Sequence, residues 1–579
     1  MNKQIDPDIL KKAEHWLKGN YDEESKKQVK ALMDNDPEEL SDAFYKDLEF
    51  GTGGLRGIMG AGSNRMNKYT VGGATQGLAN YLRQQFKDER QIKAAIAYDN
   101  RINNTFFAKI TADVLSANGI KVYIFDDVRP TPELSYAIRK LGCHSGVVIT
   151  ASHNPKEYNG YKVYWDDGAQ LLAPHDENII TEVKKIASVE DINFKGDKNL
   201  QETIGEEIDK AYITDICSLS LNPALIKKHE DFKIVFTPLH GATVDILPRA
   251  LKEMGFKNII HVPEQDIKDG HFSSVDSPNP EEPAALEKAI EKAKAEDADL
   301  VMGSDPDGDR IGIAVKDAQG RFRLLNGNQT AALLIEYVIS QWQKQGRIRG
   351  KEYIVKTIVT SDLIKEIANH NGVESYDTLT GFKYIAGIIR ELEGTKTFIA
   401  GGEESYGYLV GDFVRDKDAV IAASMLAEAA VFAKEQQVTL LDQLKEIHIK
   451  HAFYKETMRS LVRKGKSGAE QISALMEKFR ENPPKTINGY KLERIIDFKK
   501  SIEINMETGN EYQVYFPLSN VLQFITEDNT KITMRPSGTE PKIKFYIGVK
   551  QDIYENDVYE EVEKNLDTRI KNVIKDLGI

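Results

Sequence analysis

Three aspartates stand at alternate positions in Asp305-Pro306-Asp307-Gly308-Asp309-Arg310. In an extended loop, such alternation turns three carboxylates toward one point, an arrangement suited to a hard cation that prefers oxygen ligands. An EF-hand would need Gly at the sixth loop position and Glu at the twelfth, where this chain has Arg310 and Lys316. An aspartyl-phosphate loop with Asp305 as nucleophile is a weaker alternative, since Asp309 stands where such loops normally carry Thr or Val. A solvated acidic turn would crowd three like charges with no binding energy in return.

A second segment, Thr150-Ala151-Ser152-His153-Asn154-Pro155, places a hydroxyl beside an imidazole. Serine needs activation to act as a nucleophile, so the pair points to covalent catalysis, either hydrolytic or phosphoryl-carrying. The absence of a G-x-S-x-G elbow counts against the hydrolase. A plain capped turn uses the same residue types and stays open on this segment alone.

Two further loops add binding groups. Gly401-Gly402-Glu403-Glu404-Ser405-Tyr406-Gly407 offers acceptors and a hydroxyl between glycines, the groups that read sugar hydroxyls. Arg535-Pro536-Ser537-Gly538-Thr539-Glu540-Pro541 offers a guanidinium fork and two hydroxyls for a phosphate dianion. Either could be an ordinary turn; their weight comes from occurring together.

These loops need elements to hold them. From residue 90 to 150 the pattern predicts strand, helix, strand, helix, strand: Ala94 to Tyr98, Thr105 to Asn118, Val122 to Phe125, Pro132 to Leu141, Gly146 to Thr150. That is βαβαβ and predicts a parallel sheet. Ser152 then follows the carboxyl end of a parallel strand, where α/β domains bind ligands. The alternation returns after Lys233 and again after Tyr353, with the aspartate loop between strands Leu300 to Met302 and Ile311 to Val315. A helical pair is predicted over residues 7 to 34, and charged helices with antiparallel strands after residue 450. The expected fold class is α/β: three consecutive α/β domains with mixed, mainly parallel sheets plus a C-terminal α+β domain. The expected segments are 1–45 (helical extension), 46–220, 221–325, 326–450 and 451–579.

Composition narrows the class. The 579 residues are 41% hydrophobic and 29% charged, as in globular proteins, and exceed what one core can hold. A formal charge of −13 speaks against a nucleic-acid footprint. Cys143 and Cys217 have no metal-type or disulfide-framework spacing. The first 18 residues lack the apolar core of a signal peptide, and the apolar stretch Ala419 to Ala433 is too short to span a bilayer. A cytoplasmic location is expected.

Taken in order, the four loops resemble those of the α-D-phosphohexomutase superfamily, the phosphoglucomutases and phosphomannomutases, over about residues 45 to 550. Thr150 to Pro155 is similar to its phosphoserine loop, Asp305 to Arg310 to its magnesium loop, Gly402 to Gly407 to its sugar-reading loop, and Arg535 to Pro541 to its phosphate-binding loop. Gly51 to Gly57, with Arg56, resembles an N-terminal arginine segment. Thr380-Gly381-Phe382-Lys383 resembles a substrate-side loop, and the stretches around Lys162 and Lys417 resemble those supplying active-site lysines. The chain departs from the glucose-type pattern at Leu379 and Tyr406 and carries an N-terminal extension.

The resemblance implies four domains around a central cleft. It implies a phosphate carried on Ser152, with Mg²⁺ held by Ser152, Asp305, Asp307 and Asp309. His153, Lys162, Lys417 and Arg56 become the catalytic candidates. Thr380, Gly381, Lys383, Glu403, Ser405 and Arg310 become the sugar-binding candidates, and Arg535, Ser537, Gly538 and Thr539 hold the second phosphate. The implied reaction interconverts glucose 1-phosphate and glucose 6-phosphate through a bound 1,6-bisphosphate, with glucose 1,6-bisphosphate as activator. Mannose specificity, dual specificity, a pentose phosphate or bisphosphate synthesis are the alternatives. The expected partner is a small sugar phosphate, with no nucleic acid and no membrane, the chain acting as a monomer or weak dimer.

Overall fold

The computed structural model describes residues 5–51, 53–463, 465–537 and 542–579. The chain forms two compact units: residues 1–327, 382–400 and 405–436 make the first, and residues 328–381, 401–404 and 437–579 the second.

The first unit begins with three helices, Pro7–Lys18, Glu23–Asn35 and Pro37–Phe44, one more than the predicted pair. Asp6, Asp22 and Asp36 cap them by accepting from backbone N–H groups of the first turn. The third helix escapes a periodicity reading because it is only eight residues long and follows Asp36, which also ends the second. Their apolar faces meet Tyr69: Trp16 stacks on Tyr21 at 4.3 Å, and the Tyr69 hydroxyl donates to Asp22 at 2.8 Å. The extension is thereby fixed to the start of helix Lys68–Gln85.

Behind it lies a six-stranded sheet. Strand Lys93–Tyr98 pairs in parallel with Lys121–Phe125 on one side and Ser145–Ile149 on the other, as the alternating pattern predicted. Every residue of Ser145–Ile149 is buried, which explains the apolar run from Gly146 to Ile149. Strand Tyr158–Trp165 then runs back antiparallel beside it, with Lys162 opposite Val148. That hairpin returns Lys162 toward the Ser152 loop.

A five-stranded sheet follows in the same unit. Lys233–Thr237 and Leu300–Ser304 run parallel, and Ile311–Lys316 folds back antiparallel on the latter. The hairpin between these last two strands is the aspartate loop. Gly308 sits there at φ +65°, and a Cβ on it would lie 2.5 Å from Thr243 and 2.7 Å from Pro130. Both the backbone sign and the space require glycine at this bend.

In the second unit, strands Glu352–Thr357 and Glu374–Thr378 pair in parallel with helix Leu363–His370 between them in sequence. An eight-stranded antiparallel sheet forms the C-terminal part, packed with helices Gly465–Glu481 and Tyr559–Leu577. The predicted α/β class with a C-terminal α+β region is the fold observed. Among the described residues, no helix is long and apolar enough to cross a membrane.

Candidate active site

Ser152 takes a left-handed backbone, φ +54°, unusual for a residue with a Cβ. Buried groups hold it there. Thr150 accepts from the Ser152 N–H at 2.8 Å and donates to Asp99 at 2.6 Å. The Arg101 guanidinium donates to four carbonyls of the loop and its continuation: Ser152 and Asn154 at 2.5 Å, Pro155 at 2.9 Å and Tyr158 at 3.1 Å. Asp99 lies 3.5 Å from the Arg101 Nε, and both side chains are fully buried. Burial pushes the Asp99 carboxyl up to about 6 despite this cation. The loop is therefore pinned from beneath by an ion pair within the protein.

The Ser152 hydroxyl donates to Asp305 at 3.0 Å and lies 3.2 Å from the His153 Nδ1. Asp305 also accepts from the N–H groups of Asp309 and Arg310, at 3.1 and 3.0 Å, which closes the aspartate loop on itself. Asp305, Asp307 and Asp309 are all buried, with one oxygen from each inside a 4.8 Å cluster. One oxygen each of Asp307 and Asp309 is buried with no hydrogen-bond partner among the described residues. Orphaned, converging carboxylate oxygens fit a divalent cation with oxygen ligands.

Cations surround this anionic centre without filling it. Lys162 reaches Asp307 at 2.6 Å and Asp309 at 3.5 Å, and Lys417 reaches Asp309 at 3.1 Å. Thr131 adds a hydroxyl to Asp307 at 3.1 Å. Arg310 pairs with Glu281 and lies 3.8 Å from Asp309. Arg56 donates to Asn154 at 3.2 Å. Burial and the neighbouring carboxylates raise Asp305 well above the usual carboxylate range. Burial alone would raise Asp307 as well, but the Lys162 contact holds it low. Burial, followed by Arg310 and Arg56, holds His153 far below its ordinary value, so the ring is neutral. Burial would also lower Lys162, but Asp307 and Asp309 keep it above an ordinary lysine.

Lys417 is placed by its neighbours. Asp418 accepts from the N–H groups of Val420 and Ile421 and so caps helix Ala419–Glu435, a contact of about 1 kcal/mol. Asp416 receives the Tyr164 hydroxyl at 2.6 Å and the Lys417 ammonium at 2.9 Å. The lysine is thus held between Asp416 and Asp309.

The first unit therefore brings together Ser152, His153, Lys162, Arg310, Lys417 and the three aspartates, with Arg56 on the same loop through Asn154. Lys383 belongs to this unit but pairs with Asp176 at 3.7 Å. Ser405 lies in the same unit, one residue before Tyr406, whose carbonyl accepts from Ile311 at 3.0 Å.

The remaining sugar and phosphate candidates belong to the second unit. The Gly381 N–H donates to Glu403 at 2.9 Å, and Thr380 is half-buried beside it. Glu404, beyond Glu403, accepts from Thr357 and Thr360, at 3.3 and 3.2 Å, and burial next to Glu403 pushes it up to about 7. Arg535 ends strand Lys531–Pro536 opposite Lys544, and the Ser537 N–H donates to the Lys542 carbonyl at 2.8 Å. Gly538 and Thr539 lie outside the described residues.

Sequence reasoning missed Asp99, Arg101, Thr131 and Tyr164, and took in Asp416 and Glu404 only as members of their loops, with no role of their own. Asp99 and Arg101 were findable, because they follow the carboxyl end of strand Lys93–Tyr98, the position that drew attention to Ser152.

Residues 47–190, 210–320 and 326–448 match the phosphoglucomutase/phosphomannomutase alpha/beta/alpha domains I, II and III. A phosphoglucomutase of Staphylococcus aureus is 39% identical over 512 residues, 88% of this chain and 91% of that protein. A phosphoglucomutase of Staphylococcus haemolyticus is 38% identical over 523 residues, 89% of this chain and 93% of that protein. Among solved structures, parafusin, a phosphoglucomutase of Paramecium, aligns with a TM-score of 0.69 at 18% identity, covering 92% of this chain and 95% of that one. A phosphoglucomutase/phosphomannomutase family protein of Burkholderia thailandensis aligns with a TM-score of 0.64 at 18% identity, covering 91% and 97%. These two structural likenesses carry the fold.

Proposed function

The chain belongs to the phosphoglucomutase/phosphomannomutase family of phosphosugar mutases, and we propose that it interconverts glucose 1-phosphate and glucose 6-phosphate with Ser152 as the phosphoryl carrier. The single observation that supports this most is the Ser152 hydroxyl, strained into a left-handed turn and hydrogen-bonded to a buried three-aspartate cluster. A turn serving only to connect two strands has no need of that strain or of that buried charge.

In this reading Ser152 carries a phosphoryl group. A free hydroxyl of the bound hexose monophosphate attacks phosphorus. The P–O bond to the sugar forms as the P–Oγ bond to Ser152 breaks, and the hydroxyl proton passes to a basic group of the site. The product is a 1,6-bisphosphate. After it turns over, Ser152 Oγ attacks its other phosphate; the P–Oγ bond re-forms as the P–O bond to the sugar breaks and the sugar oxygen takes a proton from the site, so the net change is one phosphate moved between C1 and C6.

The chain's own residues supply position and charge. Arg101 and Thr150 orient the carrier. Lys162 and Lys417, held by Asp307, Asp309 and Asp416, offer ammonium groups to the charge that spreads over the transferring oxygens. His153, 3.2 Å from the Ser152 Oγ, is assigned the exchange of a proton with it. Asp305, Asp307 and Asp309, with the carrier group of Ser152, would hold Mg²⁺, whose chemistry here is to withdraw negative charge from the phosphoryl group. Arg56 and Arg310 are assigned to phosphate and sugar oxygens of the substrate, and Lys383, Thr380, Gly381, Glu403 and Ser405 to the sugar. Arg535 and Ser537 are assigned to the phosphate that is not reacting, a role suited to a guanidinium fork. Glucose 1,6-bisphosphate would prime Ser152. The two free thiols, Cys143 and Cys217, agree with work in a reducing cytoplasm.

The test mixes the protein with Mg²⁺, a trace of glucose 1,6-bisphosphate and glucose 1-phosphate, then follows glucose 6-phosphate for the native chain and Ser152→Ala. Product from the native chain and none from the variant is expected. Full turnover by Ser152→Ala would overturn the carrier assignment. Faster turnover of mannose 1-phosphate run in parallel would replace glucose as the substrate.

A further inference from the structure

We propose that the second unit carries another anion site, separate from the Arg535 loop, that takes a small phosphorylated metabolite. It is a cavity of about 500 Å³, within the range of small-molecule pockets and larger than a bare ion needs. Helix Leu363–His370, the end of helix Leu440–His451 and strands Tyr490–Asp497, Lys531–Pro536 and Lys542–Gln551 contribute its walls.

Its charge is lopsided in an acidic protein. Lys365, Lys450, Arg494, Lys531 and Lys550 line it, against two lining carboxylates, Asp362 and Glu366; outside the lining, Lys450 pairs with Glu336 at 3.2 Å and Arg494 with Glu503 at 3.4 Å. Both carboxylates are already shared. Asp362 lies between Lys531 at 2.7 Å and the fully buried Lys356 at 2.8 Å, and Glu366 accepts from Lys550 at 3.3 Å and from the Tyr454 hydroxyl. Neither has charge to spare for Lys365, which forms no ion pair or hydrogen bond among the described residues. Lys365 also sits in the first turn of its helix, where the macrodipole opposes a cation.

The buried part of the wall is similarly underserved. Lys531 is 17% exposed, and burial together with the adjacent Lys356 lowers its proton affinity. The Nε2 of His451, on the same wall, is buried without a hydrogen-bond partner among the described residues. A phosphate dianion supplies the charge that Lys365 lacks and a partner for His451, and adds to the single carboxylate that Lys531 shares with Lys356. Solvated surface lysines would explain the rim but not the buried Nε2 of His451.

The site is distinct from the loop assigned to the substrate's second phosphate. Lys531 begins the strand that Arg535 and Pro536 end. Four residues of extended chain separate Lys531 from Arg535 by roughly 13 Å. An occupant at Lys531 therefore stands at the far end of the strand that presents Arg535.

Isothermal titration with glycerol 2-phosphate at fixed ionic strength tests the site. The proteins are the full chain, Arg535→Ala, Lys365→Gln and the double variant Lys365→Glu/Lys450→Glu. Saturable binding is expected to persist in Arg535→Ala, to weaken in Lys365→Gln, and to fall by about tenfold or more in the double variant, the loss expected for removing charge-assisted contacts to phosphate. Lys365 is exposed and forms no ion pair or hydrogen bond among the described residues, so Lys365→Gln guards against a misfolded double variant. Absence of saturable binding, its loss in Arg535→Ala, or equal affinity in both lysine variants and the native chain would overturn the site. None of these outcomes depends on turnover of a sugar phosphate, so the mutase reading stands or falls separately.

Discussion

Replacing Arg101 by Lys keeps a positive charge beside Asp99 and removes the planar fork that reaches four carbonyls at 2.5 to 3.1 Å. A lysine has three donors on one nitrogen and cannot meet acceptors spread from Ser152 to Tyr158. At least two of the four carbonyls then lose their donor in a buried setting. A hydrogen bond to a charged group contributes about 1.5–3 kcal/mol, and neighbouring losses do not add fully, so a local penalty on the order of 3 kcal/mol is expected. The loop can escape that penalty by relaxing Ser152 out of its left-handed conformation, which moves the hydroxyl away from Asp305. A displacement of about 1 Å at a reacting centre costs on the order of a hundredfold in rate. Arg101→Lys should therefore lower kcat by about one to two orders of magnitude with a much smaller change in KM, and lower the thermal midpoint by several degrees. Steady-state kinetics on glucose 1-phosphate and scanning calorimetry read the two effects. Wild-type kcat with an unchanged midpoint would refute the idea that this guanidinium sets the carrier serine.

Asp309→Asn removes one of three crowded carboxylates, so the metal-free protein should melt higher than the native chain, while the rise in midpoint produced by Mg²⁺ shrinks; calorimetry with and without a chelator separates the two. Arg535→Ala should weaken both half-reactions, reading as a raised KM for glucose 1-phosphate and for the bisphosphate, and unchanged kinetics would remove Arg535 from the site. Glu404, ordinarily near 4.5, is pushed up to about 7, so the folded protein binds an extra proton between those values and loses stability as pH climbs through that window. The native chain should melt lower at pH 8 than at pH 5 by a contribution on the order of 2–3 kcal/mol, and Glu404→Gln should flatten that part of the profile. An unchanged slope in Glu404→Gln would show that the carboxyl is ionised in both states.

Legibility in the sequence followed the range of the interaction. The βαβαβ run was readable because buried parallel strands carry apolar runs such as Gly146 to Ile149, and Ser152 was readable because it follows one. The aspartate loop announced itself by alternation within five residues. What stayed hidden depends on partners far along the chain. Arg101 matters because of carbonyls about fifty residues later, Asp416 because of Tyr164, and Asp307 because of Thr131 and Lys162. Lys162 and Lys417 entered through family resemblance alone, since a single lysine in a strand or before a helix has no local signature.

That division also separates what each group does. The locally legible residues, Ser152 and the aspartates, are the ones whose chemistry is intrinsic to their type. The hidden ones act on geometry or on charge balance, and a fold can supply those from any element that passes nearby. A chain that kept Ser152, Asp305, Asp307 and Asp309 but lost Arg101 or Asp416 would still show every motif and would lack the contacts that aim them. Grafting the two motif loops onto another α/β scaffold should accordingly give metal binding without phosphoryl transfer. Adding the Asp99–Arg101 pair beneath the serine loop, and the Tyr164–Asp416 pair behind the lysine, is the step that would bring transfer within reach, because only then is the hydroxyl held where the aspartates and ammonium groups point.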